Sequence, residues 1–175
     1  MPSETPSATC ERFTAFDATE ATLIEGLPGH GLVASIVVDR ITDQLGLDPH
    51  GVIRSDAFPP VASFEDGLVQ DTVRLYAGDD PPIMTLKSDI PLDTDAASAL
   101  SDCVVDEYAA ACERAVFLAG APAQSEAQRG EVIGLGTDGA MKADLEAAGI
   151  DISPTSEHEL QGRIAVEDVG ERSVP

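Results

Sequence analysis

The chain has 175 residues, of which 43% are hydrophobic and 24% are charged, a composition typical of folded rather than disordered proteins. Aspartate and glutamate total 32 against 10 lysines and arginines, giving a formal net charge of −22. Such a surface repels phosphate backbones and anionic lipids, so the charge disfavours nucleic-acid or membrane-surface binding. No apolar run predicts a membrane span and no secretory signal is visible at the start, so we expect a cytoplasmic protein.

The acidic residues run along the whole chain, and Lys87 and Lys142 are its only lysines. This composition is typical of proteins from halophiles that accumulate salt, because molar cations screen the self-repulsion of an acidic surface. The alternative is that the acidic residues form a binding surface for a basic partner. Neither interpretation predicts an activity.

Neither the cysteines nor the histidines are spaced as metal ligands. The cysteines are Cys10, Cys103 and Cys112. Nine residues on a predicted helix separate the last two by about 13 Å, too far for a disulfide. We therefore expect buried thiols in a reducing compartment, and no metal or cofactor.

The first quarter of the chain predicts a tail, a strand, a turn and a helix. Residues 1–11 are rich in Pro, Ser, Thr and Glu, as in flexible tails. Thr22–Glu25 predicts a short strand that ends at the glycine-rich turn Gly26–Gly31. Apolar residues at helical spacing then predict a helix over Val33–Leu45, with Gly46 as its end.

The next segment predicts strands in an antiparallel arrangement. Val52–Ser55 has the pattern of a strand, and Phe58–Pro60 interrupts it because neither proline can donate a backbone hydrogen bond. Val61–Phe64 and Val73–Ala77 predict further strands in a hairpin-like arrangement around an Asp66-Gly67 turn.

The second half of the chain alternates strands with helices. Its predicted strands are Ile83–Leu86, a buried Ala115–Ala119 and Val132–Leu135. Its predicted helices begin at Asp95, with Asp93 or Asp95 as N-cap, and at Thr137, the second ending at Gly149. We therefore predict that residues 12–175 form a single α/β domain, a sandwich whose mostly parallel central sheet is flanked by helices, with an antiparallel excursion near residues 61–77.

The Gly26–Gly31 turn contains the candidate ligand-binding residues Gly26, Gly29, His30 and Gly31. It lies between a strand and a helix, where backbone N–H groups and the helix dipole favour an anion. The spacing GxxGxG is not that of a dinucleotide loop, and no Lys-Ser/Thr follows as in a P-loop. We therefore prefer a tight turn with close helix-to-strand packing, and keep anion binding as the alternative.

Other polar clusters favour structural roles. Lys87-Ser88-Asp89 follows a strand and lines the expected carboxyl edge of the sheet, but Ser88 has no base beside it, which favours a loop anchor. Glu65-Asp66 is typical of a turn, and Thr137-Asp138 is typical of a helix N-cap. The sequence thus predicts no catalytic residues.

Several segments together resemble the proteasome assembly chaperones of the second-chaperone type. Leu23–Val33, with the sequence LIEGLPGHGLV, is similar to the opening strand, turn and helix of that family. Phe58–Val61 followed by Glu65-Asp66-Gly67 resembles its second motif. Ala115–Ala119 and Val132–Asp138 fit in order and spacing, so the resemblance covers residues 22–165.

This resemblance implies an α/β sandwich similar to phosphorylase and hydrolase folds, without a known catalytic centre. It implies a non-enzymatic scaffold that helps proteasome α-subunits assemble, and a homo-oligomer, as in archaeal relatives. The chain resembles an archaeal, halophilic member that is short beyond Gly162, so we expect an uncovered apolar patch that favours association. The alternative function is a small-molecule binder, for an anion or nucleotide, or a phosphorylase- or hydrolase-type enzyme using the Gly26–Gly31 loop.

Overall fold

Six of the strands in the first unit of the chain, Met1–Gly120, form one mixed sheet. The strands of this unit are β1 (Ala8–Arg12), β2 (Thr22–Gly26), β3 (Asp48–Ser55), β4 (Ser63–Glu65), β5 (Leu68–Gln70), β6 (Val73–Asp79), β7 (Pro82–Ser88) and β8 (Arg114–Phe117). The sheet has the order β1-β3-β6-β7-β2-β8, and β4 pairs with β5 outside it. This architecture is that of a computed structural model, which describes residues 7–109, 111–123 and 125–152.

The expectation of a mostly parallel sheet is wrong. The pairs β1–β3, β3–β6 and β6–β7 are antiparallel, whereas β7–β2 and β2–β8 are parallel. No helix separates β3 from β7 in the sequence, so the chain reverses through turns there, and strands joined in this way pair antiparallel. The antiparallel excursion expected near residues 61–77 therefore extends over half of the sheet.

One face of the sheet packs against the helix α2 (Thr94–Val104), which continues into a π-helical turn over Val105–Ala109. Asp93 caps the helix, because its carboxylate accepts a 2.9 Å hydrogen bond from the Ala96 N–H. The hydrophobic core lies between α2 and the sheet. It contains Leu23, Ile53, Val73, Leu75, Met84, Leu86, Leu100, Cys103, Val104 and Tyr108.

The helix α1 (Val33–Leu45) packs on β2 and β7. Its buried positions are Ala34, Val38 and Thr42, spaced four residues apart, and the Thr42 hydroxyl lies 2.8 Å from that of Thr85 on β7. Gly46 ends the helix in the left-handed conformation, with φ of 60°. The predicted helix and its end are thus confirmed.

The expected flexible tail over residues 1–11 is wrong from Ala8 onward, because β1 pairs antiparallel with β3 along its whole length. Cys10 on this strand forms a disulfide with Cys103 on α2, with the Cα atoms 6.4 Å apart. This pairing corrects the expectation of free thiols at Cys10 and Cys103, whereas Cys112 is a free thiol as expected. Arg12 adds an ion pair with Glu107 at 2.9 Å.

The strand predicted at Ala115–Ala119 is present as β8, but it is not buried. It lies at the end of the sheet order, and its side chains are half-buried or exposed. An apolar run predicts a strand without showing whether neighbours cover both of its faces.

The second unit, Ala121–Pro175, contains a small strand–helix–strand motif among its described residues. β9 (Ile133–Gly134) and β10 (Asp151–Ile152) pair in parallel, with α3 (Gly139–Ala147) between them in sequence. Asp138 caps α3 by accepting a 2.8 Å hydrogen bond from the Met141 N–H, as the Thr137-Asp138 pattern predicted. The single domain expected over residues 12–175 stays a prediction.

No helix within the described residues is long and apolar enough to cross a membrane.

We predict that Gly26→Ala destabilises the protein by about 1–3 kcal/mol, because overpacking a close contact has this cost. A Cβ at position 26 would overlap the Val38 side chain and lie 2.6 Å from the Ala34 carbonyl oxygen. Denaturant unfolding measures the change. The control is Gly29→Ala, whose nearest neighbour would be the Leu27 carbonyl oxygen at 4.0 Å; equal losses in both variants would contradict the role of this contact.

Candidate functional site

The carboxyl ends of three adjacent parallel strands meet at one edge of the sheet. The glycine-rich turn follows β2, and residues 118–120 follow β8. Lys87 and Ser88 are the last residues of β7, and Asp89 comes directly after them. Gly120 lies against the His30 carbonyl oxygen so closely that a Cβ at that glycine would overlap it. Two of the three connections are therefore in direct contact at this edge.

The four candidate residues of the turn have different environments. Gly26 is buried under α1, whereas Gly29, His30 and Gly31 are exposed. Gly31 has a φ of 66°, which favours glycine, but Gly29 is extended with a φ of −141°. The geometry supports tight packing at Gly26 and a turn at Gly31, while a ligand at these four residues stays a prediction.

Glu25, immediately before the turn, is a buried carboxyl that no sequence pattern indicated. It is 2% exposed, and its Oε1 accepts a 2.6 Å hydrogen bond from the Leu27 N–H. Its Oε2 is buried and has no hydrogen-bond partner among the described residues. Burial raises the pKa of Glu25 to about 7, although the Leu27 hydrogen bond opposes this shift.

The hydrogen bond between Leu27 and Glu25 weakens the alternative in which the turn binds an anion. The Leu27 N–H, one of the donors of the turn, is already occupied by the Glu25 carboxyl. Pro28 has no N–H to donate. The turn thus offers a ligand fewer backbone donors than its glycine content indicates.

A pocket of about 340 Å³ lies on the sheet beside the β4–β5 hairpin. Its walls are formed by Ser63, Phe64, Glu65, Arg74, Lys87 and Asp89. Arg74 donates to both carboxylate oxygens of Asp89, at 2.7 and 2.9 Å, and Lys87 donates to Asp39 of α1 at 2.7 Å. Both cations of the pocket are therefore neutralised within the chain.

The same contacts show what the polar residues of Lys87-Ser88-Asp89 do in the fold. Burial alone would raise the pKa of Asp89, but hydrogen bonds from Ser63 and Arg74 outweigh it and hold that pKa below its ordinary value. The Ser88 hydroxyl donates to the Ile90 carbonyl at 2.8 Å. These polar groups tie β4, β6 and the end of β7 together, which agrees with the predicted loop anchor.

The β4–β5 hairpin exposes several large apolar side chains. Asp66 and Gly67 form its two-residue turn, both with positive φ, which is the type I′ geometry. Phe64 lies opposite Val69 in the register, and these side chains are 74% and 69% exposed. Side chains alternate along each strand, so Leu68 lies with Glu65 on the opposite face. We define the hairpin surface as Phe64 and Val69, which share one face.

A second apolar surface lies on the outer side of α1. We define the helix surface as Leu32, Val33, Ile36 and Val37, all exposed, together with Arg40. The last four of these positions follow the i, i+3, i+4, i+7 spacing, so they share one face of the helix. Exposed apolar groups on both a hairpin and a helix are typical of protein–protein interaction sites.

The described residues contain no group of three or more His, Cys, Asp or Glu side chains that could hold a metal ion. The cations that line the pocket are paired with carboxylates of the chain, as at Arg74–Asp89. The exposed parts of the hairpin and of α1 therefore provide apolar surface, bordered by charged residues, that another molecule can contact.

We predict that Glu25→Gln removes a pH dependence from the stability of the wild type. The carboxyl ionises near pH 4.5 in the unfolded chain and near 7 in the folded one. The unfolded state therefore gains charge first, and the wild type loses stability, by about 3 kcal/mol at most, as pH rises between these values. Unfolding at pH 5 and pH 8 measures this; Glu131→Gln, at an exposed position, is the control, and equal pH slopes in all three proteins would contradict the assignment.

Solved structures of archaeal proteins share this fold. PbaA of Pyrococcus furiosus, described as an archaeal homolog of proteasome-assembly chaperone, matches with a TM-score of 0.74 and 24% identity, over 84% of this chain and 61% of its own. PbaB of the same organism, described as an archaeal proteasome activator, matches with a TM-score of 0.71 and 17% identity, over 90% and 70%. A Thermoplasma acidophilum protein of unknown function matches with a TM-score of 0.68 and 18% identity, over 80% and 58%.

The chain thus spans less than two thirds of the length of PbaA. A comparison with curated proteins gives no match. Residues 23–165 match the sequence profile described as the PAC2 family. This match covers most of the chain and confirms the resemblance drawn from the Leu23–Val33 and Phe58–Val61 motifs: the chain belongs to the PAC2 family.

Proposed function

We propose that this protein is a non-enzymatic scaffold that assists proteasome assembly through protein–protein contacts. The observation that carries the proposal is the PAC2 match over residues 23–165. The fold shared with PbaA and PbaB supports it, since one is described as a homolog of a proteasome-assembly chaperone and the other as a proteasome activator. The exposed hairpin and helix surfaces supply the kind of contact area such a role needs.

The proposed partners are proteasome α-subunits and further copies of the chain. A large negative charge supports protein partners over nucleic acids and anionic membranes, because it repels both. The proposed proteasome partner supports a cytoplasmic location.

We predict that immobilised wild-type protein captures purified proteasome α-subunits of a halophilic archaeon in concentrated KCl. Replacing Phe64 by Ser should weaken capture, because the hairpin surface loses a large exposed apolar contact. The matched control is Val132→Ser, which removes a similarly exposed side chain from the second unit. Capture is read by mass spectrometry of the eluate.

Two results would contradict this function. Absence of α-subunits from the eluate at every salt concentration would remove the scaffold role. Co-purification of a stoichiometric nucleotide or phosphate metabolite would instead support the alternative binder, which uses Gly26, Gly29, His30 and Gly31.

We also propose a halophilic, archaeal origin, and predict that the free energy of unfolding rises steeply with KCl. The chain has 32 acidic and ten basic residues, so the excess negative charges repel one another. Salt near 1 M screens this repulsion, because it shortens the screening length to about 3 Å. Unfolding curves at about 0.05 M and about 2 M KCl measure the effect. Equal stability at both concentrations would favour a basic partner as the reason for the acidic surface.

A further inference from the structure

The outer strand β1 has few apolar contacts with the rest of the fold. Ala8 and Cys10 are the two of its five side chains that pack against the hydrophobic core. The other three side chains, those of Thr9, Glu11 and Arg12, are exposed. Burial of apolar surface is the main favourable term that holds an element on a fold, and β1 has little of it.

The charged side chains of β1 form ion pairs that are exposed to solvent. Arg12 pairs with Glu107 at 2.9 Å, and its guanidinium carbon lies 5.0 Å from the centroid of the Tyr108 ring. Glu11 pairs with Arg54 of β3. All four charged side chains are about half-exposed. Ion pairs of this kind contribute little to stability, and salt screens them further.

The disulfide links β1 covalently to the helix that covers the core. It joins Cys10 to Cys103, 93 residues further along the chain, and Cys103 is 8% exposed on the buried face of α2. The backbone of β1 pairs with β3 on one side only, because β1 is the outermost strand of the sheet. Segments with few buried apolar contacts are the first to open locally, so β1 depends on this bond more than a central strand does.

We propose that the Cys10–Cys103 disulfide is a redox latch, which keeps β1 in the sheet when oxidised and lets it open when reduced. Opening uncovers the outer edge of β3, where Gly51 lies so close to β1 that a Cβ would be 2.5 Å from the Glu11 carbonyl oxygen. The strands β3-β6-β7-β2-β8 stay paired without β1, so the change is confined to one strand. The latch does not depend on the proposed function.

A dithiol reductant supplies the two electrons for opening the latch. Its thiolate attacks the sulfur of Cys10, which is more accessible than the buried sulfur of Cys103. The bond between the two cysteines breaks, and Cys103 leaves as a thiolate that takes up a proton. The second thiol of the reductant then attacks the reductant's own sulfur in this mixed disulfide, which releases Cys10 as a thiol and forms the disulfide of the reductant. A disulfide oxidant reverses both steps.

The third cysteine does not compete in this exchange. Cys112 is half-buried, and burial raises the pKa of its thiol. Because the thiolate is the attacking form, a thiol with a raised pKa reacts slowly. The redox state of the latch is therefore determined by thiols and disulfides of other molecules.

Hydrogen–deuterium exchange of the full chain in concentrated KCl, before and after reduction with dithiothreitol, tests the latch. The ratio of the β1 exchange rate to that of β6 and β7 should rise at least about tenfold on reduction, because β1 then opens by itself. Reoxidation should restore the original ratio. Alkylation in denaturant verifies the two states, with one thiol in the oxidised protein and three in the reduced one.

Two cysteine variants separate the latch from other effects of dithiothreitol. Cys10→Ser should show the high exchange ratio of the reduced wild type with or without the reductant. The matched control is Cys112→Ser, which keeps the disulfide and should respond to the reductant as the wild type does. Trypsin gives a second measurement on the wild type: cleavage after Arg12 should become faster on reduction, whereas cleavage after Arg74, which is buried in β6, should not. If Cys10→Ser does not fold, the two redox states of the wild type still decide.

The proposal is overturned if the exchange ratio does not rise on reduction, because the disulfide would then stabilise the whole sheet or nothing at all. It is also overturned if alkylation finds three thiols after treatment with an oxidant, since the bond would not form. Capture of α-subunits is a separate measurement, so failure of the latch leaves the proposed function standing. A working latch in a protein that captures nothing supports this inference and removes the proteasome role.

Discussion

The close approach of β2 to α1 at Gly26 determines how α1 is oriented on the sheet. Without a side chain at this position, the helix lies directly on the strand, with Ala34 and Val38 against the glycine. This contact fixes which side of α1 is buried, and therefore which side is presented to solvent. The helix surface, the turn after β2 and the ion pair between Asp39 and Lys87 all follow from that orientation.

Local patterns were sufficient to predict most of the secondary structure. The helical spacing from Val33 and the glycine at 46 have a local physical reason, so they identified α1 and its end. The aspartates at 93 and 95 narrowed the cap of α2 to two residues, of which Asp93 is the cap. Sheet direction depends on which strands pair across the chain, and the mostly parallel expectation failed for that reason. The disulfide between Cys10 and Cys103 was missed because it depends on the same long-range pairing.

The site was predictable only in part. The motifs of the turn and of the Phe58–Pro60 element identified the family, because they combine unusual residues in a fixed order. They gave no indication that Glu25 is buried with an oxygen that no described residue hydrogen-bonds, since a carboxylate near the end of a strand is usually exposed. Nor could they show that Phe64 and Val69 are exposed, because hairpins with this alternation often pack against a sheet.

The first strand has a consequence for how copies of this protein can associate. β1 occupies the outer position of the sheet next to β3, and its last two residues, Glu11 and Arg12, are charged. Arg12 is held by Glu107, and Glu11 by Arg54, so these charges stay at the border of the sheet. Charged residues on an outer strand discourage the addition of another strand through backbone hydrogen bonds. At this border, the addition of a strand from another molecule is therefore disfavoured.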